Sequence, residues 1–195
     1  MKSNICKLTE GKPFSQDLLN EVEKCARYNN LDHASTLRLS LLAEELVGMI
    51  PNMVEGYSGS FWIENDGMEY QLCAELKTKR SDFDTNEDLL DFSSSGKNAA
   101  AKGIVGKIRS AIELMMSSFD SDVYSRNTFI SEGLVGFESY AYSWSLNRYI
   151  DTVKRDAAQE EAWDELEKSV ISKLADDVVV EIQGKKILIS VKKKF

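Results

Sequence analysis

Met68-Glu69-Tyr70-Gln71-Leu72-Cys73-Ala74-Glu75-Leu76-Lys77 alternates in character at every second residue: Met68, Tyr70, Leu72, Ala74 and Leu76 are apolar, against Glu69, Gln71, Cys73, Glu75 and Lys77. Successive side chains of a β-strand point to opposite faces, so the run predicts a strand with one dry face and one mostly wet face. The stretch before it, Gly59-Ser60-Phe61-Trp62-Ile63-Glu64, is β-prone, and Asn65-Asp66-Gly67 joins the two. Asp-Gly at the centre of a hairpin suits a type I′ turn, which needs positive φ at both central residues. A half-wet antiparallel sheet takes helices on one side only. The expected fold is therefore α+β, a two-layer sandwich with an antiparallel or mixed sheet, and not a doubly wound one.

Helical spacing supplies the covering layer. Leu18, Leu19, Val22, Cys25 and Ala26 mark a first helix from Ser15, placed to cap it, to about Tyr28. A second helix, about Asp32 to Ile50, buries Leu39, Leu42, Ala43, Leu46, Val47 and Ile50, and Pro51, which has no N–H, is expected to end or kink it. Ile104, Ile108, Ala111, Ile112 and Met115 define a third helix over about Asn98–Met116. A fourth, about Asp156–Leu174, carries Trp163, Leu166, Val170, Ile171 and Leu174, and leads into a closing hairpin of Val178–Ile182 and Ile187–Val191 around Gln183-Gly184-Lys185-Lys186. The acidic, serine-rich stretch Asp82–Gly96 has loop chemistry. Residues 117–155 hold eight of the eighteen aromatics, a density that can offset the entropy of ordering a long segment. Its rings are expected either to fill a subdomain core or to form a protein-binding surface that includes Tyr140, Tyr142 and Trp144.

At 195 residues the chain is expected to be a single domain, 1–195. A net charge of −8 argues against nucleic-acid binding, and Lys192-Lys193-Lys194 is too short to reverse it. No run approaches the ~20 apolar residues of a membrane helix. Met1-Lys2-Ser3-Asn4-Ile5-Cys6-Lys7 lacks the apolar core of a signal peptide, so a cytoplasmic location is expected. Cys6, Cys25 and Cys73 are odd in number without Cys-x-x-Cys spacing, and read as free thiols. His33 is the single histidine and reads as a surface or capping residue. No metal-ligand set, calcium loop, Ser-His-Asp or Cys-His pattern, or nucleotide P-loop is present.

Leu39-Ser40-Leu41-Leu42-Ala43-Glu44-Glu45-Leu46-Val47-Gly48-Met49 resembles the glutamate helix of the GHKL superfamily, the histidine-kinase-like ATPase domains that include bacterial anti-sigma factor kinases. Tyr28-Asn29-Asn30-Leu31-Asp32 before it, and Val170–Val178 with Ile187–Lys192 at the close, are similar to the same group. The resemblance assigns 14–84 and 156–195 to the core and leaves 85–155 as an enlarged lid or inserted subdomain. It gives Glu45 the role of polarising water, the candidate catalytic position. Met49 stands where the family has its magnesium-holding Asn, and a thioether is a poor ligand for that hard cation. In Thr78-Lys79-Arg80-Ser81-Asp82-Phe83-Asp84, which matches the adenine box, Thr78 replaces the Asp that accepts from the adenine amino group and Arg80 replaces a Gly.

Two segments compete for the phosphate-binding turn. Lys102-Gly103-Ile104-Val105-Gly106-Lys107 places Gly103 and Gly106 at a helix head, while the final-hairpin match favours the glycine-free Ala157-Ala158-Gln159-Glu160-Glu161. The favoured register is the second. The expectation is a degenerate, regulatory protein-interaction module that requires no cofactor and leans away from being an enzyme. Its partner would be a protein, such as a transcription regulator, or a second copy. The alternative is a functional anti-sigma-like kinase or ATPase that binds ATP and magnesium through unusual contacts such as Asn52 and Thr78.

Overall fold

The computed structural model describes residues 1–11, 15–78, 103–120, 142–155, 160–183 and 186–195. The strands are β1 (Cys6–Thr9), β2 (Tyr57–Asp66), β3 (Glu69–Thr78), β4 (Tyr142–Ser145), β5 (Asp177–Gln183) and β6 (Lys186–Lys194). The helices are α1 (Gln16–Tyr28), α2 (His33–Met53), α3 (Gly103–Asp120), α4 (Leu146–Arg155), α5 (Glu160–Lys168) and α6 (Val170–Leu174). All six strands join one antiparallel sheet in the order β1-β2-β3-β6-β5-β4.

Alternation decides which face the helices cover. Phe61 and Ile63 of β2, Leu72, Ala74 and Leu76 of β3, Ile187, Ile189 and Val191 of β6, and Val178, Val180 and Ile182 of β5 form the floor of the core. α2 crosses this floor over β3 and β6, with α1 on one side and α3 and α6 on the other, giving two layers. The opposite face carries Gln71, Glu75, Glu181 and Lys192. Cys73 and its cross-strand partner Ser190 lie on that face too, yet each is only 3% exposed. Burial, helped by the nearby Glu64, pushes the Cys73 thiol up to about 12, so it is no thiolate nucleophile. All three cysteines are free.

The first hairpin is present, but its turn sits one residue later than Asp66-Gly67. Asp66 pairs with Glu69, leaving Gly67 and Met68 as the two central residues. Gly67 has φ 57° and Met68 is not in the left-handed region, which fits a type II′ turn with Gly first. Met68, expected in the dry row, is therefore a turn residue and is 44% exposed.

Three helical expectations are corrected. Ser15 occupies the position before α1 but makes no side-chain cap, whereas Asp32 caps α2 by accepting from the Ser35 amide at 2.7 Å. α2 does not end at Ile50. It runs through Pro51 to Met53, and Val54 N–H still closes on the Ile50 carbonyl at 3.0 Å, because burial of Met49, Ile50 and Met53 outweighs the one missing donor. The last helix breaks in two at Ser169, whose hydroxyl caps α6. The break rotates the apolar stripe, so Leu166 and Ile171 are buried while Trp163 and Val170 are 36% and 40% exposed.

Strands β1 and β4 were not foreseen from the sequence. Both are short edge strands, and four residues give too few alternations to read. The expected acidic loop 82–96 lies outside the described residues, as do Tyr124, Phe129, Phe137 and Tyr140, four of the eight rings of 117–155. Among the described residues, no helix is long and apolar enough to cross a membrane.

Candidate functional site

The resemblance directs attention to the corner where α2 ends, β3 ends and α3 passes. β2 leaves α2 through Val54-Glu55-Gly56, and Gly56, at φ 62°, makes the turn and donates its N–H to Glu10 at 2.9 Å. Tyr57 then pairs with Thr78, which brings the end of β3 under the end of α2. Thr78 is buried, and its hydroxyl donates to the Glu55 carbonyl at 3.1 Å.

Beside it lies a cavity of about 20 Å³, bounded by Met53, Thr78, Arg109, Glu113 and Ile187 among others. That volume holds a single water, against the roughly 300–1,000 Å³ of a small-molecule pocket. Arg109 forms one of its walls. Its Nε donates to Glu113 at 2.8 Å, one helical turn on, and its guanidinium lies 3.8 Å from Glu55. Donating to the Glu113 carboxylate raises the Arg109 pKa above its ordinary value. The Arg109–Glu113 pair was legible as an i,i+4 spacing, but the approach of Glu55 from the connection between α2 and β2 was not.

The other expected site residues do not gather around this cavity. Glu45 is half-buried on the flank of α2 and does not line it. It precedes Met53 by eight residues, about 12 Å along the helix axis. Met49, at the magnesium position, is 6% exposed and belongs to the core. Asn52 is exposed. Gly103 starts α3 with φ 76°, and Gly106 is buried in the first turn. A Cβ on residue 103 would stand 2.9 Å from Oε2 of Glu165 in α5. A carboxylate of the chain itself therefore lies at that helix head, where the dipole would otherwise favour a phosphate. In the competing register, Ala157-Ala158-Gln159 lies outside the described residues, and α5 begins at Glu160. Glu55 and Glu113 bring carboxylates to this cavity, but among the described residues it has room for one water and not for a nucleotide. Among the described residues, no group of three or more His, Cys, Asp or Glu is placed to hold a metal ion.

Of the aromatic candidates, Trp144 sits on β4 with its ring 6.1 Å from that of Tyr149, and both are partly buried against the core. Asp177 fixes this corner by accepting from the Ser145 hydroxyl and the Asn147 amide, both at 3.1 Å. Trp144 thus packs as an edge-of-core residue. Comparison of the chain with protein-family models, curated proteins and solved structures finds no match.

Proposed function

We propose that this chain is a histidine-kinase-like ATPase-fold protein with a degenerate nucleotide site, acting in the cytoplasm as a regulatory protein-interaction module with weak or no ATP binding. The observation that carries the reading is the corner at Thr78. Its cavity of about 20 Å³ is flanked by an arginine engaged with Glu113, and the Thr78 hydroxyl donates to a backbone carbonyl. The burial of Met49 and the Glu165 carboxylate beside Gly103 support it independently. The partner is a protein, either a transcription regulator or a second copy of the chain, and neither nucleic acid nor a membrane is part of the function.

The test is calorimetric titration of purified protein with ATP, with and without magnesium. Replacing one charged hydrogen-bond partner costs about 1.5–3 kcal/mol, on the order of 10- to 150-fold in affinity, before the loss of the metal anchor is counted. The expected outcome is no saturable binding below about 1 mM. Micromolar, magnesium-dependent binding would replace this reading with that of a working ATP-dependent kinase or ATPase.

A further inference from the structure

The outer face of α2 presents Leu37 at 54% and Leu41 at 38% exposure, with Ala34, Arg38, Glu44 and Gly48 also exposed. Exposed leucines alone identify nothing. Two further features of the same face do. The first is Gly48, a helix-interior glycine in ordinary helical conformation. A Cβ there would meet nothing within 4 Å among the described residues, whose packing gives no reason for a residue that weakens a helix. The second is the charge pattern. At about 100° per residue, Arg38 and Glu45 fall on the same flank of Leu41, about 40–60° around the helix from it. Neither makes an ion pair among the described residues.

We infer that α2 is a self-association surface, on which two copies of the chain pair their α2 helices antiparallel about a two-fold axis at Leu41. This names the partner for the interaction-module reading above and rests on it. The axis sets Leu41 against Leu41 of the second copy. Arg38, three residues before the axis, then faces Glu45 of the second copy, four residues after it and on the same flank. At ~1.5 Å rise per residue the two differ by only about 1.5 Å along the axis. The two-fold makes this ion pair twice. On the other flank, Leu37 meets the stem of Glu44 and the notch over Gly48 of the second copy. The surface is self-complementary in shape and in charge, as an isologous contact requires. Reversing the helix direction or moving the axis by one or two residues breaks the pairing of Arg38 with Glu45. The contact is small beside a standard interface, so dissociation on the order of 100 μM is expected.

Sedimentation equilibrium of the full chain up to about 1 mM tests this, with circular dichroism confirming that each variant folds. The wild-type chain should dimerise. Leu41→Glu, which places two carboxylates on the axis, should abolish association. Arg38→Glu and Glu45→Arg should each weaken it about tenfold, and the double variant should return to within about threefold of wild type, because each reversal meets the other across the axis. Gly48→Ala should melt higher at low concentration and dimerise more weakly. A wild-type monomer at about 1 mM, a Leu41→Glu dimer of unchanged affinity, or a double variant no better than the single ones would overturn the inference. A monomer leaves the interaction-module reading standing with another partner, whereas tight ATP binding overturns that reading and leaves a measured dimer in place.

Discussion

The two faces of α2 are built from the same kind of side chain and meet opposite surroundings. Leu39, Leu42, Ala43, Leu46 and Ile50 on the inner face are fully buried over β3 and β6, while Leu37 and Leu41 on the outer face stand in water. The inner leucines are fixed by the sheet they cover. The outer ones are not part of that core. The contrast teaches that apolar content along a helix mixes two signals, one for the fold and one for its surroundings, and that exposure separates them.

The largest expected effect breaks the comparison directly. Leu46→Ala should destabilise the protein by about 2–5 kcal/mol, through lost burial and the cavity left behind, while Leu41→Ala should stay within about 0.5 kcal/mol in the monomer. Denaturant melts at low protein concentration measure both, and equal losses would erase the distinction between the faces. The glycines sharpen it. A Cβ at Gly59 in β2 would collide with the Glu75 carbonyl oxygen of the neighbouring strand, so Gly59→Ala should cost about 1–3 kcal/mol or more as the sheet shifts. Gly48→Ala should instead gain about 0.5–1 kcal/mol in the monomer. A loss at both positions would mean that Gly48 serves the fold after all.

The smallest effect lies at the rim of the sheet. Burial tends to raise the Asp176 pKa, but hydrogen bonds from the Lys193 ammonium and the Lys194 amide, with the charges of both lysines, outweigh it and hold it below its ordinary value. A carboxylate depressed in the folded state adds stability that is fully present above its unfolded pKa of about 4 and is lost as pH falls through the folded value. With a half-exposed side chain the gain is under about 1 kcal/mol. Asp176→Asn should flatten the stability profile below about pH 4 and lower stability at neutral pH by no more than that amount. An unchanged acid limb would show that the contact is not maintained in solution.

Much of the architecture was legible because it rests on local periodicity. The row Tyr70, Leu72, Ala74, Leu76 named the buried face of β3, and the stripes of α1, α2 and α3 named their own inner sides. The errors fall where spacing carries no information. Gly67 alone could not say which of its neighbours shared the turn. Ser169 interrupted a stripe that remained continuous in residue type, and Pro51 lost its usual authority to a buried helix end. The candidate site was less legible than the fold. Thr78, Glu45 and Gly103 were read from positions in linear motifs and Asn52 as an unusual contact, but the distance from Glu45 to the corner at Thr78 is set by how far α2 extends beyond it.

By itself the chain determined its two hairpins, its apolar stripes, the single covered face of the sheet and its net acidity, because each follows from interactions between residues close in sequence or from composition. Only the tertiary structure decided that β1 and β4 pair at the two edges, that the corner beside Thr78 closes to a space for one water, and that Glu165 from α5 lies at the head of α3. Those outcomes depend on which distant segments share the same space. Close packing leaves that space either filled or open, and no spacing along the chain records which.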